Sequence, residues 1–202
     1  MCGSLHERWV NRNAIGGTGA HTTEVEVIDF ASSLQEYGIP YYLKIDIEGS
    51  DLFCLQALLK FDARPNYVSI ETEHSEVSRL EEEFRILEEL GYTRFKAAQQ
   101  SGIEKLKPPY PAKEGIYVPH EFSDAASGLF GRELPGEWLT KSEMLKRMKK
   151  FIWQFRLCGV LTKRRNWLGR KVYGVARRLV RKPLPGWYDT HAMHSSVVES
   201  NS

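Results

Sequence analysis

The chain has 202 residues, which suits one domain or one domain with an appendage, and 42% of them are hydrophobic, too many for wholesale disorder. No apolar run reaches the roughly 18 residues of a membrane-spanning helix. The opening MCGSLHERWVNRN lacks the apolar centre of a signal peptide, and Cys2, Cys54 and Cys158 are too few and scattered for a disulfide framework or a Cys-rich zinc site, so a cytoplasmic protein is expected. The net charge of +2 conceals an asymmetry: residues 1–140 carry 13 Lys/Arg against 23 Asp/Glu, and residues 141–202 carry 15 against 3. An acidic body is followed by a strongly basic segment.

In chain order, TTEVEVIDF (22–30) alternates Val25 and Val27 with Glu24 and Glu26, which predicts a strand with one wet face. ASSLQEYG (31–38) predicts a short helix closed by Gly38, and Pro40 separates it from YYLKIDI (41–47), whose apolar content predicts a strand covered on both faces. SDLFCLQALLKF (50–61) sets Leu52, Leu55, Leu58 and Leu59 on one helical face, with Ser50 available as N-cap. A buried strand follows from Tyr67 to Glu71. Residues 75–92 then predict an amphipathic helix through Val77, Leu80, Phe84, Leu87 and Leu90, stopped by Gly91. YTRFKAA (92–98) and GIYVPH (115–120) predict two strands joined by a Lys/Pro-rich loop, and residues 141–182 a long basic helical region interrupted near Gly159 and Gly169. Alternating strands and helices with short loops predict a parallel sheet with helices on its faces and an antiparallel final pair.

Ligands of open α/β sheets bind beyond the carboxyl ends of the strands. Asp46 and Glu48 stand at such an end, Gly49 permits a tight exit, and Asp51 opens the next helix, where the macrodipole stabilises negative charge. The following strand ends in Glu71 and Glu73. Two neighbouring strands thus bring four carboxylates to one sheet edge. The plainer reading is that Asp51 only assists the helix start and Lys44 or an arginine neutralises the others.

YLKIDIEGSDLFCL, followed about 20 residues later by RPNYVSIE, resembles the FkbM family of S-adenosylmethionine-dependent methyltransferases, whose pattern is a strand carrying K-x-D-x-E-G, an acid and Leu-rich helix, then a strand ending in Glu. EVEVIDFASSLQEYGIP is similar to the family's lead-in, and SGLFGRELPGEW (127–138) and GWYDTHA (186–192) resemble tail motifs of one subgroup; Ser50-Asp51 stands where Ala-Glu is commoner. The resemblance implies an α/β fold, a Rossmann-like class I methyltransferase sheet with a basic C-terminal helical appendage. It implies methyl transfer from S-adenosylmethionine to a hydroxyl of a small-molecule or glycan acceptor, with Asp46, Glu48 and Glu71 as catalytic candidates. The expected division is a loop segment (1–20), the C-terminal part of an FkbM-like domain (21–125), and a loop, basic appendage and tail (126–202).

Such enzymes hold the cofactor on a glycine-rich turn after the first strand, with an acid for the ribose after the second. AIGGTGAH (14–21) follows no plausible buried strand and opens no helix. The expectation is therefore a sheet incomplete at its N-terminus, as in a fragment, a misplaced start or a decayed copy, with the cofactor-binding residues unknown.

Asp189, His191 and His194 form D-x-H-x-x-H, which could ligate a metal or supply a base and its partner. So short a cluster usually arises by chance, and no metal is expected. A substrate-side role for Asp189 and His191 rests on the family-like WYDTHA, with imidazole suited by its ordinary pKa to take a hydroxyl proton. In the basic region Met144, Met148, Phe151 and Phe155, and later Val172, Val175 and Leu179, recur at helical spacing. That stripe could meet an anionic membrane; nucleic acid is not expected. The opposite charges favour its packing on the acidic body, and an inactive binding module acting through this helix is the alternative function.

Overall fold

The computed structural model describes residues 24–47, 50–71, 77–124, 126–163 and 188–197, and side chains of residues 154–163 are not among those described. In chain order the elements are α1 (Phe30–Tyr37), β1 (Tyr42–Ile45), α2 (Asp51–Leu58), β2 (Tyr67–Glu71), α3 (Val77–Glu89), β3 (Tyr92–Gln99), α4 (Lys141–Lys163) and β4 (Tyr188–His194). The strands form one sheet in the order β1-β2-β4-β3. β1 and β2 run parallel, and β4 is antiparallel to both β2 and β3, so the last strand is inserted between two that precede it.

The helix starts follow from local chemistry. Asp29 caps α1, its Oδ2 accepting from the Ser32 backbone N–H at 2.9 Å and the Ser32 hydroxyl at 3.0 Å. Gly38, at φ 84°, ends the same helix in a conformation a side chain would resist. α2 is apolar nearly all round and buries Cys54, Leu55 and Leu58, as a helix lodged between a sheet and another helix must.

One side of the sheet carries the core. Ile45, Val68, Ile70, Phe95 and Ala192 point to it, and Leu34, Leu55, Leu58, Leu80, Phe84, Leu87, Met144, Met148 and Ile152 from the four helices cover them. Each fully buried large side chain here is worth about 1.5–3 kcal/mol. α4 is joined to this core by its apolar stripe, and Lys141 and Lys149 pair with Glu88 and Glu81 of α3, each at 2.6 Å. This is the packing that the opposite charges of the two halves favour.

Three expectations are corrected. Residues 24–29 form no strand: they pair with nothing in the sheet and leave Val25, Val27 and Ile28 exposed, because alternation permits a wet face but does not supply a partner strand. GIYVPH is likewise irregular, with Ile116 90% exposed, and β3 finds its partner in Tyr188–His194 instead. α4 runs through Gly159 without interruption, since a single glycine costs a helix only about 1 kcal/mol. The break expected at Gly169 and the remainder of the basic region lie outside the described residues.

Candidate active site

The other side of the same sheet is polar. Pairing register places Lys44 of β1, Ser69 of β2, His191 of β4 and Lys96 of β3 in one row across all four strands. The row toward the carboxyl ends of the parallel strands holds Glu71 opposite Asp189, with Asp46 just beyond β1. The row on the other side holds Tyr42, Tyr67, Met193 and Arg94. Period-two alternation makes this possible: the residues between these point to the apolar core.

Lys44 organises the edge. Its Nζ donates to Asp189 Oδ2 at 2.7 Å and lies 3.6 Å from Asp46 Oδ2. Burial opposes the Lys44 charge, but the two carboxylates outweigh it and hold its pKa above the ordinary value. Asp189 is 1% exposed, and that burial raises its pKa despite the Lys44 ammonium 2.7 Å from Oδ2. Asp189 Oδ1 has no hydrogen-bond partner.

His191 is 2% exposed, and neither ring nitrogen finds a hydrogen bond. Burial, with Lys44 and Lys96 nearby, pushes its pKa down to about 3, so the imidazole is neutral. The Tyr42 and Ser69 hydroxyls are 2.7 Å apart beside it. Lys96 Nζ donates to the Leu134 carbonyl at 2.7 Å and sits 4.5 Å from the Trp138 ring centroid; burial and then Lys113 push it down to about 8.

An irregular segment, residues 103–138, roofs this side of the sheet, with one-turn helices at Ile103–Lys105 and Gly131–Glu133. Phe130 stacks on Tyr42 at 4.3 Å and Trp138 on Tyr67 at 6.0 Å. Both rings come from the SGLFGRELPGEW stretch.

The structure brings Asp46, Glu71, Asp189 and His191 to this one side of the sheet, the last two from a strand near the other end of the chain. Glu48, Glu73 and the AIGGTGAH stretch lie outside the described residues. Asp51 takes the plainer role: buried, it accepts the Ile47 backbone N–H at 3.1 Å and fastens the exit of β1 to the start of α2. Among the described residues no group of three or more His, Cys, Asp and Glu could hold a metal ion. Nor is any helix among them long and apolar enough to cross a membrane.

Sequence reasoning missed Ser69 and Tyr42 as neighbours of the site, Lys96 as a buried cation, and Glu83. Glu83 was detectable, since it falls beside Phe84 on the core stripe of α3. It is 5% exposed, its Oε1 has no partner, and burial followed by Asp51 pushes its pKa up to about 8.

Residues 4–94 match the family model of the methyltransferase FkbM domain. The match covers the K-x-D-x-E-G strand, the Leu-rich helix and the strand ending in Glu71, and it supports the recognition made from those motifs. It begins earlier and ends sooner than the resemblance did, so the tail motifs that supply Trp138, Asp189 and His191 lie beyond it. No curated protein and no solved structure matches the chain. The family supports methyltransferase activity, and its members usually use S-adenosylmethionine. Among the described residues, the glycines at positive φ with close neighbours face His194, Ile103 and Leu106, or Glu114 and Tyr67.

Proposed function

We propose that this chain is an FkbM-type methyltransferase domain whose polar sheet face is the acceptor side, serving transfer of a methyl group from S-adenosylmethionine to a hydroxyl oxygen of a small-molecule or glycan acceptor. The observation that carries this reading is the convergence of Asp46 and Asp189 on Lys44, with Glu71 opposite Asp189 in register, in a chain whose residues 4–94 match the FkbM domain.

The cofactor supplies the methyl group; the chain must align the acceptor and take its hydroxyl proton. With its pKa near 3, buried His191 is a weak base, and its free nitrogens are better suited to orienting a hydroxyl. Asp189, raised above the ordinary carboxylate value and with Oδ1 free, is the stronger proton acceptor. Asp46, at the exposed mouth, faces whatever approaches from beyond the strand ends. A binding module acting through the basic helix has less support, since Lys141 and Lys149 already pair with α3 and Met144, Met148 and Ile152 are in the core.

The test is transfer of labelled methyl from S-adenosylmethionine to a panel of hydroxylated acceptors, with calorimetric titration of the cofactor alongside. Asp46→Asn and Asp189→Asn should each lower transfer by about 10²- to 10⁴-fold, the range of a positioned acid or base. Wild-type rates in both variants would refute the site. Absence of cofactor binding by the folded chain would refute the activity.

A further inference from the structure

We propose that residues 103–138 form a lid, latched by Glu114, that must lift to admit a hydroxyl-bearing acceptor to His191 and Asp189. The proposal rests on the acceptor-side reading above and adds how that side is reached.

The segment leaves β3 at Gln99 and returns to the same strand. Phe95 N–H donates to the Leu139 carbonyl at 2.9 Å, and Leu139 N–H donates back at 2.8 Å. An excursion that starts and ends on one strand can swing without disturbing the pairing of the sheet. Between these anchors its regular structure is confined to two single turns. Lys96 Nζ holds the segment at the Leu134 carbonyl, and its other polar fastening to the sheet converges on one carboxylate. Glu114 Oε1 accepts the Tyr41 and Tyr67 hydroxyls, each at 2.8 Å, and lies 3.6 Å from Arg132 Nε, while Oε2 accepts the Arg132 backbone N–H at 3.1 Å. Gly131, at φ 59°, lets the chain pass so close that a Cβ there would collide with Glu114 Oε2. Tyr41 and Tyr67 belong to the sheet side and Arg132 to the segment, so Glu114 fastens one to the other.

What the lid covers gives it a reason to open. Its contacts at Tyr42, Tyr67 and Lys96 bracket His191. Beneath lie Asp189 Oδ1 and both nitrogens of His191, all buried and all without partners. Such atoms are satisfied in water, and beneath the lid they have no partner among the described residues. A guest carrying hydroxyls would supply both donors and acceptors, which a hydrocarbon could not.

The test is carbethoxylation of histidines in the full chain with diethyl pyrocarbonate, read residue by residue by peptide mass mapping. His194 is the internal control: it lies on the same strand but on the opposite side of the sheet. In Glu114→Ala, His191 should label about tenfold faster, because several bonds to a charged group are lost together, while His194 is unchanged. An unchanged His191 rate overturns the lid. If both histidines accelerate, the variant has opened globally, and Tyr41→Phe decides. That change removes one hydroxyl from the exposed side of the latch and must raise the His191 rate alone; otherwise the proposal fails. Labelling requires no methyl transfer, so a responsive His191 in an inactive chain would sink the proposed reaction and keep the lid.

Discussion

On one side of the sheet Ile45, Val68, Ile70, Phe95 and Ala192 meet helices; on the other, Lys44, Ser69, His191 and Lys96 stand in a row under an irregular segment. The same strands build both, by alternate residues. Among the described residues, the apolar side leaves one buried side-chain atom without a partner, Glu83 Oε1, and the polar side leaves three. Stability is thus concentrated on one side and chemistry on the other, and substitutions should differ in sign between them.

The largest effect is expected on the apolar side. Phe84 is fully buried with its ring 4.9 Å from that of Phe95, and Phe84→Ala should cost about 3–5 kcal/mol in chemical denaturation. A loss below about 1 kcal/mol would mean that this side is not the core of the folding unit.

The next expectation concerns pH and compares one displaced titration from each side. Burial, then Asp51, lifts Glu83 to about 8 from 4.5, with Arg79 opposing; burial, then Lys44 and Lys96, lowers His191 to about 3 from 6.5. Between pH 4.5 and 8 the folded chain keeps a Glu83 proton that the unfolded chain has released, so rising pH favours unfolding. Between pH 3 and 6.5 the unfolded chain takes a His191 proton that the folded chain refuses, so falling pH favours unfolding. The two slopes oppose each other from 4.5 to 6.5, and Glu83 acts without that opposition from 6.5 to 8, at up to about 1.4 kcal/mol per pH unit. Melting temperatures at pH 6.5 and 8 should show this decline in the wild type, and Glu83→Gln should flatten it. An identical decline in the variant would assign the slope to other groups.

His191→Leu tests the sign directly. It exchanges an imidazole with two unsatisfied nitrogens for an apolar side chain of similar size, and should stabilise the chain by about 1–3 kcal/mol while abolishing whatever the site binds. Destabilisation of the size seen at Phe84 would make the polar side a second core and remove the contrast.

The two sides were also unequally legible in the sequence. Leu80, Phe84 and Leu87 announce α3 by their spacing, and Tyr67–Glu71 reads as a buried strand because it is one. Asp46 and Glu71 were visible as acids at strand ends. β4 was not: YDTHAMH carries an aspartate and two histidines that suggest a metal cluster or a base and its partner, and only its insertion between β2 and β3 makes it a strand. A polar residue facing a covered polar cleft leaves no hydrophobic period to detect. GIYVPH has the local propensity of a strand, but β4 takes one side of β3 and Leu139 bridges to the other.

The smallest effect concerns how the basic helix is held against the acidic helix. The charge asymmetry led to the idea that α4 lies on the body, and the Lys141–Glu88 and Lys149–Glu81 pairs realise it. Both pairs are largely solvated, Lys149 at 44% exposure and Glu81 at 52%, so water and salt screen them. Lys149→Ala should therefore change stability by no more than about 0.5 kcal/mol, and the change should shrink further at high salt. Met148, one residue away and fully buried, holds the helix by area removed from water, which salt does not screen. Measuring denaturation of Lys149→Ala at low and high ionic strength separates the two contributions. A loss several times larger, abolished by salt, would mean that charge rather than the apolar stripe binds α4 to the body.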